Sequence, residues 1–208
     1  MNTDAMEKLI AHFERCFGQE TDTVLHSTAG ADPHIDVLVF APTQKYPFWK
    51  LCTMGASDCK MPKREGVRYG KTVSLYNEYV MFLDPSLRVE KDSDDWKWYW
   101  KVLMETALFP FRSGEALVAT DTVDLGLDGP MKGVVLLFPE AVEDTSVLRC
   151  RLGLGKTAVC LQVMPVTSEE MNERLRRGDE GGDWLYERFY AHDPGTPDRF
   201  LAQTVRVR

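Results

Sequence analysis

The chain has 208 residues, 44% hydrophobic and 11% aromatic, with 25 basic against 32 acidic side chains and a formal net charge of −7. That balance excludes a disordered chain and supplies enough apolar surface for a sizeable core, while an isoelectric point near 5.2 argues against nucleic acid, whose phosphates need a basic surface to displace counterions. No apolar run reaches the ~20 residues of a membrane-spanning helix, and the opening MNTDAMEKL lacks both the basic start and the apolar stretch of an export signal, so a cytoplasmic protein that does not engage a membrane is expected.

The five cysteines, at 16, 52, 59, 150 and 160, are odd in number and lack a Cys-x-x-Cys spacing. They read as small buried hydrophobes, not as a disulfide framework or a metal site, and no metal or cofactor is expected.

In chain order, Thr3 or Asp4 caps a first helix whose apolar positions Met6, Leu9, Ile10, Phe13 and Phe17 recur at helical spacing, with Gly18 ending it. His12 lies beside that stripe and reads as a solvated residue. Val24, Leu25 and His26 form a short strand, and residues 29–33 a turn. The run from His34 to Ala41 is strand-like, with Ile35, Val37, Val39 and Ala41 on one face and His34, Asp36, Leu38 and Phe40 on the other. Both faces are apolar beyond Asp36, the pattern of a central strand packed above and below. His34 and Asp36 stand side by side at its entrance. A connection with two prolines, Pro42 and Pro47, leads to a second strand, Phe48 to Met54, and the turn Gly55-Ala56-Ser57-Asp58, so a hairpin is predicted.

Residues 60–71 carry five basic side chains with Pro62, Gly66 and Gly70 and read as an exposed loop. Val73 to Leu83 is the next strand, with Asn77 and Glu78 embedded in apolar neighbours. A carboxylate buried without partners is costly, so Glu78 either sits at the solvent end or meets a cation or donor, His34 or an arginine. Ser93-Asp94-Asp95 starts a helix with acids in its first turn, and Pro110 ends it. Its tryptophans, Trp96, Trp98 and Trp100, fall at core spacing and not in the arrangement of an aromatic cage.

Strands are expected over 116–125, 133–138, 146–152 and 158–164. Gly155-Lys156-Thr157 matches the end of a phosphate-binding loop, but Cys150 stands where that motif needs glycine and a strand follows where it needs a helix. Thr167-Ser168-Glu169-Glu170 is a capping box opening a short helix that Gly178 stops. Residues 180–183 are the best linker candidate; Trp184, Leu185, Arg188 and Phe189 suggest a last helix, followed by a turn at 193–197 and an alternating tail at 204–208.

The ordered set His34, Asp36, Pro42, Thr43, Pro47, Thr53, Gly55, Ser57 and Asp58, followed by NEYVMFLDP at 77–85, the run from Gly133 to Pro139 and LQVMPVTSEE at 161–170, resembles the Suppressor of fused (SUFU-like) domain family over residues 30–178. The resemblance implies an α+β fold: a mixed, mostly antiparallel sheet of about eight strands, flanked by helices near residues 4–17, 94–109 and 168–177. It implies a SUFU-like domain over residues 1–178, with a C-terminal helix and tail over 179–208.

It also implies a non-catalytic protein-binding module. Animal members are negative regulators that hold a transcription factor by strand addition. A chain this short is similar to the bacterial members, for which an immunity role against polymorphic toxins is proposed, and an acidic chain suits a basic toxin domain or peptide as partner. The residues expected to shape the binding cleft are His34, Asp36, Thr43, Thr53, Gly55, Ser57, Asp58 and Glu78. The alternative is a hydrolase-like enzyme built on His34, Asp36 and Ser57, although no G-x-S-x-G elbow or oxyanion hole accompanies them.

Overall fold

The structure, a computed structural model, describes residues 3–26, 33–90, 93–190 and 200–202. Eight strands form one sheet: β1 (Val24–His26), β2 (Asp36–Phe40), β3 (Trp49–Met54), β4 (Asn77–Leu83), β5 (Thr122–Asp124), β6 (Met131–Leu137), β7 (Arg149–Gly153) and β8 (Lys156–Thr167). Their order is β1-β2-β3-β4-β8-β6-β5, with β7 paired to the first part of β8. Among the described residues only β4 and β8 run parallel; the other pairs are antiparallel. Among the described residues four α-helices accompany the sheet: α1 (Thr3–Phe17), α2 (Lys97–Ser113), α3 (Ser168–Arg176) and α4 (Gly181–Tyr190). This is the mixed, mostly antiparallel α+β architecture expected from the sequence.

The alternation within the central strands fixes the layers. Ile35, Val37 and Val39 of the β2 segment, with Tyr79, Met81 and Leu83 of β4, point into one core, where Tyr99, Val102, Leu103 and Ala107 of α2 cover them. Leu38 and Phe40, with Val80 and Phe82, point the other way, where Leu9, Phe13, Cys16 and Phe17 of α1 meet them. Every residue of β4 is buried, as a strand covered on both faces must be. Fully burying a side chain of Val, Leu or Phe size contributes about 1.5–3 kcal/mol before entropy is counted, so these two cores hold α1, the sheet and α2 together.

Several local expectations change. His12 is buried: its Nε2 donates to the Val147 carbonyl (3.1 Å) and its Nδ1 accepts from Arg15 (3.0 Å). A guanidinium can only donate, which settles the tautomer, and burial keeps the imidazole below its usual pKa. α1 is overlain by the segment leading into β7, which a helical period cannot reveal.

α2 does not begin on Ser93, whose hydroxyl accepts from Asp95 N (3.2 Å) a turn too early. It does not stop at Pro110 either. Pro110 is buried in the last turn, and the helix closes on Gly114 (φ 79°), whose N–H bonds the Pro110 carbonyl. Trp96 is buried; Trp98 and Trp100 pack on the same core from its margin.

The stretch read as a linker is instead the corner of a helical hairpin. A 3-10 turn (Gly178–Glu180) joins α3 to α4, and a Cβ on Gly181 would lie 2.1 Å from the Arg174 carbonyl oxygen. The glycines there permit close helix approach, not flexibility. Leu185 and Phe189 of α4 pack on Val135, Leu137, Met164 and Val166 of β6 and β8. The capping box at Thr167 is present with both reciprocal hydrogen bonds. The turns and tail expected at 29–33 (apart from Pro33), 193–197 and 204–208 (with residue 203) lie outside the described residues.

Candidate functional site

β2 and β3 form the predicted hairpin, with Asp36 opposite Met54 and Val37 opposite Thr53. Beyond β3 the chain turns through Gly55 into a short 3-10 segment, Ala56–Asp58, while β4 lies along the other edge of β3. Three elements therefore converge on the first residues of β4.

Glu78 is at that convergence and has no exposed surface. Its Oε2 accepts from the Thr53 hydroxyl (2.6 Å), and its Oε1 accepts from the Ser57 hydroxyl (2.6 Å), Ser57 N (2.9 Å) and Gly55 N (3.1 Å). The Thr53 oxygen in turn accepts from Tyr79 N (2.7 Å). Burial pushes the Glu78 carboxyl above its usual pKa, and the four donors oppose that push. Neither His34 nor an arginine is its partner. Of the cation or donor expected, donors are what it meets: hydroxyls and backbone amides, which satisfy a carboxylate without burying a second charge.

Gly55 holds the turn against the strand entrance. Its φ is 120°, open to glycine but not to side chains with a Cβ, and an added Cβ would stand 2.3 Å from the His34 carbonyl oxygen. Thus T-x-G-x-S reads as one device: Thr53 and Ser57 bind the Glu78 carboxylate, and Gly55 lets the backbone between them lie on His34 and Ile35.

His34 and Asp36 emerge at the surface directly beyond this support. His34 Nε2 lies 3.2 Å from Asp36 Oδ1, and His26 Nδ1 lies 2.8 Å from the same oxygen. The sequence reading missed His26. The signal in the sequence was partial: Val24, Leu25 and His26 read as a short strand, but the register that sets His26 opposite Asp36 is seen only in the fold.

Thr43 and Asp58 lie apart from that cluster. Thr43 closes the β2–β3 connection, its hydroxyl accepting from Tyr46 N (3.0 Å) and its N donating to Tyr46 O (2.9 Å). Asp58 pairs with Lys156 at 3.6 Å, and the Lys156 ammonium also stands 5.3 Å over the Tyr76 ring. The lysine of the false phosphate-loop motif therefore ties the start of β8 to Asp58 and Tyr76. In the basic loop, Arg64 grips Asp121 with two hydrogen bonds of 2.8 and 3.0 Å, so that stretch is anchored and not merely solvated.

For a hydrolytic site the arrangement is poor. Ser57 is fully buried, and its hydroxyl donates to a carboxylate rather than to an imidazole.

Fold and motif together define a sheet-based α+β domain whose signature residues brace a hairpin from inside. The family model for suppressor of fused protein (SUFU) matches residues 31–196, and the chain belongs to that family. Among solved structures, it is similar to a SUFU homolog from Neisseria gonorrhoeae FA 1090, with a TM-score of 0.61, 12% identity, and coverage of 95% of this chain and 98% of that one. It is also similar to a chain of the Sufu–Fu complex, with a TM-score of 0.57, 16% identity, and coverage of 88% and 84%. Against Drosophila Suppressor of Fused the TM-score is 0.51 at 16% identity; the match covers 82% of this chain but 44% of that one. No curated protein matches the sequence. At such identities the likeness establishes the fold.

Proposed function

We propose that this chain is a non-catalytic protein-binding module that sequesters or neutralises a protein partner, and that the partner is the toxin of a bacterial polymorphic toxin system. The observation that carries the reading is the destination of the motif's polar side chains. Thr53, Ser57 and Glu78 bond one another inside the fold, so the hydroxyl a hydrolase would use as its nucleophile is an internal donor. Of the motif residues left at the surface, His34 and Asp36 stand together beyond the braced hairpin, and Asp58 pairs with Lys156.

Four further points support the reading. The similar Sufu chain was solved in a complex with Fu. Among the described residues, β1 pairs only with β2, so its outer edge offers backbone groups to an added strand. A net charge of −7 favours encounter with a basic partner. The near-complete mutual coverage with the Neisseria chain fits a short, bacterial-type member.

The test is affinity capture from native-cell lysate, with the wild-type chain and Asp36→Lys as parallel baits, followed by expression of whatever is captured. The proposal predicts a stoichiometric protein held by the wild type alone, toxic when expressed and harmless when the chain is co-expressed. Repeated capture of nothing under toxin-inducing conditions, or a captured protein whose expression is harmless, would count against it.

A further inference from the structure

We propose that His26, His34 and Asp36 form a binding site for a divalent cation of the zinc class. The three side chains come from β1, from the residue two before Asp36, and from the first position of β2. Their nearest ligand atoms, one per residue, all lie within 4.8 Å of one another. An ion bound at ~2.0–2.1 Å by tetrahedral ligands holds those atoms about 3.4 Å apart. The present spacings from Asp36 Oδ1, 2.8 Å to His26 Nδ1 and 3.2 Å to His34 Nε2, reach that value with a slight opening of side chains that face solvent.

Two features prepare the site. His26 and Asp36 are opposite each other in the β1–β2 register. The His34 backbone is held beneath Gly55, with no room for even one added carbon between them. Ligands built on strands and braced from behind lose little freedom on binding.

One carboxylate oxygen faces two imidazoles. A dication would accept both imidazoles and the carboxylate together. Two nitrogens and one oxygen suit zinc, cobalt or nickel; magnesium and calcium require mostly oxygen ligands. With His26 and His34 largely exposed, the remaining coordination positions open to solvent, as in sites that retain water or take a ligand from outside.

The experiment uses the full chain without an affinity tag, freed of metal with a chelator and titrated with cobalt(II), with zinc as competitor. One cobalt per chain is expected, with the visible absorption of nitrogen and oxygen ligands. His26→Ala, His34→Ala and Asp36→Asn should each weaken binding by at least about tenfold, while the metal-free variants unfold at the wild-type midpoint. Asp36→Asn preserves shape, so one variant remains informative if an alanine variant misfolds. Three results would overturn the proposal: no saturable binding, binding that survives all three substitutions as an adventitious ion only, or thiolate-to-cobalt charge transfer that moves the ion to the cysteines.

Discussion

At the residue scale, Glu78 decides whether the hairpin and β4 stay joined. Its carboxylate satisfies two hydroxyls and two backbone amides where no water reaches. Glu78→Leu would leave all four donors without an acceptor. A loss of about 3–5 kcal/mol is expected, read as a lower denaturant midpoint at unchanged slope; a change under 1 kcal/mol would refute this role. Lys50 is also a fully buried charge. Its ammonium donates to the Ala41 (2.5 Å) and Tyr46 (3.4 Å) carbonyls, and burial brings its pKa down to about 8. The unfolded chain therefore binds this proton more tightly than the folded one. Below about pH 8 both states are charged and the penalty is constant; from there toward the ordinary value of 10.5 the unfolded state loses its advantage. The stability of the wild type relative to Lys50→Met should accordingly rise across that window, by at most about 3 kcal/mol, measured as paired denaturation curves at several pH values. A pH-independent difference would contradict the burial of this charge.

At the element scale, the α3–α4 corner shows how little a glycine-rich stretch says about flexibility. Alanine usually favours a helix over glycine, yet at Gly181 the added carbon would meet the Arg174 carbonyl at 2.1 Å. Gly181→Ala should therefore destabilise by about 1–3 kcal/mol, visible as earlier hydrogen exchange of α4 than of the central strands; a gain in stability would show that the helices separate freely. The two-faced run of β2, the hairpin and the capping box at Thr167 were legible in the sequence because each depends on neighbours a few positions away. The donors to Glu78 were not, since they arrive from 21 to 25 residues earlier in the chain and two are backbone amides that no residue type announces. His12, Gly181 and the buried Pro110 escaped for the same reason: what each needs is set by an element packed on it, not by the spacing along its own. His26 escaped as well, since only the folded strand register sets it opposite Asp36.

At the scale of the whole molecule, the sheet separates two duties of one sequence motif. Thr53, Gly55, Ser57 and Glu78 face inward and hold the hairpin to β4; His34 and Asp36, carried on the same hairpin, face outward with His26. This division predicts that the inner residues govern stability and the outer ones govern binding. The most direct measurement compares Ser57→Ala with Asp36→Lys, taking for each the unfolding midpoint and the affinity for the captured partner at a temperature where both are folded. Ser57→Ala removes a hydrogen bond to a buried carboxylate and should lose about 1.5–3 kcal/mol of stability while binding as the wild type does. Asp36→Lys should keep the wild-type midpoint and lose the partner. The reverse pattern, a Ser57→Ala chain that is stable yet cannot bind and an Asp36→Lys chain that binds normally, would contradict the account.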